Sequence, residues 1–144
     1  MASFNEFGIE ELIGSFEKLA NIPNEVIDEM CSAAADIAVP AFKAAVPVKT
    51  GQMRDSIKKL KRKNNKTGEP FYVVRPQGTR KPEGKATKGV RNAEVGFVLE
   101  YGAPHKHLPA LQWMSKTNEQ IADQCVKAQF AIYSDYIDKT GGST

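Results

Sequence analysis

Lysine and arginine are the residues of this chain whose number and spacing could support a specific chemistry, the binding of anions. Residues 58–91 contain twelve Lys or Arg and only two acids, which gives this segment a formal charge of +10. The rest of the chain has eight basic and fifteen acidic side chains, a charge of −7. The ten candidate contact residues are Lys58, Lys59, Lys61, Arg62, Lys63, Arg80, Lys81, Lys85, Lys88 and Arg91.

Two kinds of partner suit this basic segment. A nucleic-acid backbone is the most direct anion for it, and an acidic surface on a neighbouring subunit is equally compatible. Lysines along an exposed strand also block unwanted edge pairing, which explains residues 58–63 without any ligand. The basic loop that follows, residues 76–91, is harder to explain in this way, so both partners remain open.

Groups that could support catalysis or bind a metal are sparse. His105 and His107 flank Lys106 near Glu100, but two imidazoles without a well-spaced third ligand fit a solvated loop better than a metal site. The chain has no glycine-rich phosphate loop, no Gly-x-Ser-x-Gly elbow and no His-Glu-x-x-His helix. We therefore predict no enzymatic activity, no metal and no cofactor.

Size and composition predict one domain spanning residues 1–144. The chain has 144 residues, of which 41% are hydrophobic and 26% charged. Its two cysteines, Cys31 and Cys125, lie far apart in alanine-rich helical segments, which is typical of reduced packing residues. No apolar run reaches the length of a membrane span, and the start lacks a secretion signal, so we expect no membrane contact.

Apolar periodicity predicts three helices in the first part of the chain. A short amphipathic helix is expected over residues 8–20 and a longer central helix over 24–46. Pro40 removes a backbone donor, so a kink or a break is expected near residues 36–40. Apolar residues three and four apart over 53–60 predict a further short helix.

The next part of the chain predicts strands. A dense turn signal at 64–70 is followed by an aromatic and β-branched run at 71–74, and a second apolar run at 95–101 reads as another strand. Residues 76–89 lack large apolar side chains and are expected to form a mobile loop. Pro109 can open a long helix that ends near Asp138.

Together these elements predict an α+β domain. A small three-stranded antiparallel sheet with a long basic hairpin and loop, residues 58–91, is expected to pack against the kinked central helix and the long C-terminal helix. The short N-terminal helix completes the fold, and residues 139–144 are expected to be a flexible tail.

Two short motifs resemble those of a known family. The segments Pro47-Val48-Lys49-Thr50-Gly51-Gln52-Met53-Arg54-Asp55-Ser56-Ile57 and Val95-Gly96-Phe97-Val98-Leu99-Glu100-Tyr101-Gly102 resemble landmarks of the small tail-completion, or neck, proteins of long-tailed bacteriophages. The motif positions that carry the resemblance are Pro47, Thr50, Gly51, Met53, Arg54, Ser56, Ile57, Glu100, Tyr101, Gly102 and Pro109.

The resemblance implies a structural virion protein of a long-tailed phage, or siphophage, without enzymatic activity. Such a protein would complete the tail or join it to the DNA-filled head, as part of a hexameric ring beside other neck proteins and tail-tube or terminator proteins. It would lie in the host cytoplasm before assembly and in the virion afterwards, with non-specific contact to genomic DNA as a further expectation. Two departures from the family pattern are the long basic loop and the segment Ala103-Pro104-His105.

The alternative from another functional class is a non-enzymatic DNA-binding protein. In that reading the basic β-hairpin is an arm that lies along the duplex while the helices form a dimer. A hydrolase ranks third, because no set of nucleophile, base or metal ligands can be assembled from the sequence.

Overall fold

The central helix, α1, runs from Asn24 to Ala45 in the computed structural model, which describes residues 13, 17, 20–48, 51–82 and 88–141. Pro23 precedes α1, and Val46 leaves it in an extended conformation, as expected for a residue that precedes a proline. Pro40 lies inside the helix, which continues past it, so the expected break is not present. The kink stays a prediction.

The predicted helix over 53–60 is correct only in its first half. Helix α2 comprises Gln52–Ser56, and strand β1 follows at once as Ile57–Lys63. The Ser56 hydroxyl donates a 2.7 Å hydrogen bond to the Met53 carbonyl, where it competes with helix continuation. Ile57, 1% exposed, then enters the core as the first strand residue.

A β-hairpin follows α2, as predicted. Strand β2, Pro70–Pro76, pairs antiparallel with β1 in a register that sets Ile57 opposite Pro76 and Lys63 opposite Pro70. Asn64 closes the turn, since its amide donates to Glu69 and its side-chain oxygen accepts the amide of Lys66. Among the described residues the sheet has these two strands only.

The predicted third strand is wrong, because residues 95–101 belong to helix α3, Asn92–Tyr101. A short apolar run does not distinguish a strand from a buried helix. In the helix Val95 and Leu99, four residues apart, pack against the core. Gly96 allows close packing, since a Cβ there would lie 3.2 Å from Pro76 and 3.5 Å from Trp113.

The long C-terminal helix, α4, runs from Trp113 to Gly141. It begins later than the predicted Pro109 and continues past Asp138, so residues 139–141, expected to be a flexible tail, are helical. An ion pair of 2.8 Å between Lys139 and Asp135, one turn apart, lies in this last part.

The core lies where α1, α2, the hairpin and the first turn of α4 meet. The rings of Phe42 and Trp113 pack edge to face there, with centroids 5.8 Å apart. The α+β class is confirmed. Of the N-terminal helix expected over 8–20, only positions 13, 17 and 20 are described, and these are helical, while residues 83–87 of the expected mobile loop lie outside the described part of the chain. The other core residues are Val46, Met53 and Ile57.

Candidate functional site

The basic hairpin has two faces that carry different cations. Successive side chains of a strand point to opposite faces. On the inner face Lys59 contacts α1, with its Nζ 2.6 Å from Asp36 Oδ1 and 2.9 Å from Ser32 Oγ. Lys61 Nζ lies 2.8 Å from Asp28 Oδ1. Two of the ten predicted contact residues therefore hold the hairpin on the helix.

Tyr72 completes this attachment from β2. Its hydroxyl donates a 3.0 Å hydrogen bond to Asp28 Oδ1, and Lys59 Nζ lies 5.4 Å from its ring centroid. The hydrogen bond from Lys61 is the main cause that lowers the pKa of Asp28, and the same bond raises the pKa of Lys61. Both side chains are therefore stabilised in their charged forms.

The outer face of the hairpin is basic around an apolar centre. Lys58 pairs with Arg75 and Leu60 with Val73 across the two strands. Arg62 lies on the same face, opposite Phe71. The three cations are exposed, and within the described part of the chain they form no ion pair. Arg75 was not among the predicted contacts; only the register, which the sequence alone does not fix, sets it beside Lys58.

The basic loop is closed at its base. Thr79 and Arg91 form an antiparallel bridge, and the Arg80 amide donates a 2.8 Å hydrogen bond to the Val90 carbonyl. Gly89 is required there, since a Cβ on it would lie 2.3 Å from the Arg80 carbonyl oxygen. The bridge holds the two ends of the loop together before α3 begins.

The loop base brings part of the predicted cation set together. Lys58, Arg80 and Lys81 line one shallow cleft, which also contains Asp55. Lys88 and Arg91 are exposed in the part of the loop that leads back to α3, and Lys63 is exposed at the end of β1. Lys85 lies outside the described residues.

The first family-like motif shapes the chain between α1 and α2. Gly51 has a φ of +80°, a left-handed conformation that favours glycine, and Met53 after it is buried in the core. Pro47 and Val48 line an apolar groove of about 270 Å³ together with Val95 and Leu99 of α3. Thr50 lies outside the described residues. Arg54 is exposed and pairs with Asp55 at 3.0 Å.

Glu100, in the second motif, caps helix α4 from outside that helix. The residue is 4% exposed, and its carboxylate accepts hydrogen bonds from the backbone amides of Met114 at 2.7 Å and Ser115 at 3.1 Å, as well as from the Ser115 hydroxyl. These groups belong to the first turn, where amides lack helical partners and the dipole favours an anion. The sequence indicated the motif but not this role.

Hydrogen bonds decide the charge state of Glu100. Burial by itself raises the pKa of the carboxyl group, but the hydrogen bonds from the Ser115 hydroxyl and from the amides of Met114 and Ser115 together lower it below its ordinary value. Glu100 is therefore a buried anion that joins α3 to α4.

Gly102 and Trp113 fix the connection between the same two helices. Gly102 has a φ of +76°, and a Cβ there would lie 2.7 Å from the Leu108 carbonyl oxygen. The buried indole of Trp113 donates a 3.1 Å hydrogen bond to the Gly96 carbonyl. Tyr101 is 64% exposed, and Pro109 is exposed in the segment before α4. Glu100 and Gly102 of the second motif therefore have architectural roles, whereas Tyr101 lies on the surface.

Two exposed apolar pairs stand on the helices, and sequence reasoning missed both. Phe97 and Tyr101 of α3 are 62% and 64% exposed, with ring centroids 4.6 Å apart. Val126 and Phe130 of α4 are 62% and 64% exposed. For Val126 and Phe130 the position off the apolar face of α4 was the available signal, whereas Phe97 and Tyr101 lie in a segment that was predicted as a strand.

The remaining candidates from the sequence are two histidines and two cysteines. His105 lies in a short 3₁₀ helix, Pro104–Lys106, and both it and His107 are exposed. Cys31 and Cys125 are free thiols, and burial raises the pKa of each. None of the described helices combines the length and the apolarity that crossing a membrane requires.

Comparison with family models gives a match for this chain. Neither a search of curated proteins nor a search of solved structures found a significant match. A family model, described as "Bacteriophage HK97-gp10, putative tail-component", matches residues 10–96, more than half of the chain. The match includes the Pro47-to-Ile57 motif and the basic hairpin, and it ends just before Glu100. The chain therefore belongs to the HK97-gp10 family of phage tail components, as the resemblance of its motifs indicated.

Proposed function

We propose that this tail component acts in the phage neck, where it completes the tail or joins it to the DNA-filled head as one subunit of a hexameric ring. The observation that carries the proposal is the family match over residues 10–96. A phage tail component is part of the virion, and its role there is structural. The proposal adds the position in the neck and the ring.

The arrangement of the motifs supports a structural role. Met53 is a core residue, Glu100 caps a helix, and Gly102 permits a close backbone approach. None of these contacts leaves a reactive group exposed to a substrate. Large apolar side chains on α3 and α4 remain uncovered, which is typical of subunits that bury surface on assembly.

Deletion of the reading frame in the parent phage tests the neck position. Electron microscopy of lysates should show full heads beside separate, unjoined tails, and complementation with the wild-type gene should restore joined particles. Purified wild-type virions should contain the protein by mass spectrometry. Intact, infectious particles from the deletion strain would contradict the proposal.

A second function, contact with DNA, is favoured by the outer face of the hairpin. Lys58, Arg62 and Arg75 are exposed on one face, while the inner lysines are engaged with α1. A two-stranded ribbon with cations on one face can follow a phosphate backbone without reading the bases. As a tail component in the neck, the protein would meet the genome during its passage.

Charge-matched variants test the DNA contact. The triple variant Lys58→Ala, Arg62→Ala, Arg75→Ala and the control Lys106→Ala, Lys116→Ala, Lys127→Ala lose the same charge from different surfaces. For a duplex of about 30 base pairs, the slope of log affinity against log salt should fall by up to about 2.7 in the hairpin variant and change little in the control. Equal effects of the two variants would contradict a hairpin contact.

A further inference from the structure

Helices α3 and α4 each present a surface that nothing in the described part of the chain covers. We call Phe97, Val98 and Tyr101 the α3 patch, and Glu119, Asp123, Val126 and Phe130 the α4 stripe. The first is a cluster on one side of a ten-residue helix. The second follows the three- and four-residue spacing of one helix face, and all four of its residues are exposed.

We infer that the α3 patch of one copy of this chain binds the α4 stripe of a second copy. In each surface the two most exposed apolar residues are four positions apart, about 6 Å along the helix. Phe97 and Tyr101 could therefore pack across Val126 and Phe130 as two helices pack side by side.

Charge complementarity favours a second copy as the occupant, and we infer an antiparallel direction for it. The 3₁₀ turn that begins three residues after Tyr101 carries His105 and Lys106. On α4 the acids Glu119 and Asp123 lie on the N-terminal side of the apolar pair. An antiparallel arrangement sets apolar against apolar and these acids against Lys106, whereas a parallel one sets them toward both Glu94 and the exposed Arg91 at the start of α3.

Such a contact uses two different surfaces of the chain, so it is heterologous. Every open assembly still offers one unused α3 patch at one end and one unused α4 stripe at the other, and the contact propagates until a ring closes. This inference rests on the ring in the proposed function and names the surfaces that form it. Because one helix pair is a small interface, a single contact is weak, and closure supplies the gain in affinity.

Sedimentation from about 10 µM to 1 mM tests the contact in the full chain. The mean mass of the wild type should rise with concentration. Phe97→Ser and Phe130→Ser should each lower the association constant at least about tenfold, since exposed aromatic anchors dominate small interfaces. Val48→Ser, an exposed apolar residue on neither surface, is the control and should associate like the wild type.

Mixing the two variants separates a heterologous contact from a symmetric one. The Phe97→Ser chain keeps its α4 stripe, and the Phe130→Ser chain keeps its α3 patch. An equimolar mixture should therefore form pairs of chains and nothing larger. Assemblies larger than pairs in the mixture, or association of either variant alone as strong as that of the wild type, would overturn the inference, as would a wild type that remains monomeric at 1 mM.

A charge exchange tests the direction. Lys106→Glu and Asp123→Lys should each weaken association several-fold, and the double variant should recover most of the loss. Failure to recover would overturn the antiparallel arrangement. In the phage, Phe97→Ser and Phe130→Ser strains with normal particles would overturn this contact and leave the neck role intact, whereas intact particles from the deletion strain would overturn the neck role alone.

Discussion

At the scale of single residues, Glu100 shows how a buried charge can be architectural. Its carboxylate satisfies two amides and a hydroxyl at the start of α4, which is the environment that an anion needs at a helix N-terminus. Glu100 belongs to α3, so its carboxylate caps the N-terminus of α4 and also joins the two helices.

Replacing Glu100 with Gln should lower the free energy of unfolding by about 1–3 kcal/mol at pH 7, because hydrogen bonds to a charged acceptor are lost. Urea denaturation measures the change. Glu119→Gln, on the exposed side of α4, is the control and should stay within about 0.5 kcal/mol of the wild type.

The effect of this substitution should depend on pH. The folded state lowers the pKa of Glu100, so the stabilisation is complete above the ordinary value of about 4.5 and is lost as the pH falls through the lowered pKa. The wild type and Glu100→Gln should therefore converge in stability at low pH. A difference that is constant from pH 7 to pH 2.5 would contradict the assignment of a charged cap.

Substitutions at Gly102 and Gly78 distinguish the cost of backbone strain from the cost of a steric clash. Both have positive φ, but a Cβ on Gly102 would lie 2.7 Å from a backbone oxygen, whereas a Cβ on Gly78 would meet nothing within 4 Å. Gly78→Ala should lose about 1 kcal/mol from backbone strain, and Gly102→Ala clearly more. Thermal unfolding of the two variants measures this, and equal losses would contradict the close approach.

At the scale of elements, α3 is the helix that the sequence does not predict. Its run of apolar residues suits both a strand and a buried helix, and only packing of Val95 and Leu99 against the core decides between them. The sheet accordingly has two strands among the described residues. The boundary between α2 and β1 is a similar case. Ile57 fits both a helical and a strand pattern in the sequence, and its pairing with Pro76 makes it a strand residue.

Substitutions at Val98 test the helical state of α3. Val98→Pro should lower the free energy of unfolding by about 3 kcal/mol, because proline in a helix interior loses a hydrogen bond and clashes with the preceding turn. Val98→Ala should cost far less, since alanine is the better helix former. Cα chemical shifts over residues 92–101 should be helical in the wild type, and extended shifts would contradict the structure.

Much of the remaining architecture was predictable. Periodicity, turn residues and glycine positions predict the central and C-terminal helices, the hairpin, the chain reversal at Gly51 and the sharp exit at Gly102. The sequence did not predict which cations of the hairpin face α1 and which face outward. This depends on the strand register and on where Asp28 and Asp36 of α1 meet β1. The exposed pairs on α3 and α4 needed the fold before their exposure could be seen.

At the scale of the whole molecule, the two proposed surfaces should respond differently to salt. Raising NaCl from 50 to 500 mM should weaken DNA binding by more than about a hundredfold if three phosphates are neutralised. Self-association through the apolar α3 patch should change less than about tenfold, because salt screens only its charged rim. Fluorescence anisotropy and sedimentation measure the two responses, and parallel losses would contradict separate surfaces.

The two-faced hairpin also restricts how this protein can change its length over evolution. Inserting or deleting one residue at the start of β1 would exchange the faces, so that Lys59 and Lys61 would point away from α1 and Lys58 and Arg62 toward it. The outward face would stay basic, but the ion pairs of Lys59 with Asp36 and of Lys61 with Asp28 would both be broken in one step. Relatives that keep the arrangement should therefore differ in strand length by even numbers of residues, with odd changes confined to the turn at 64–69.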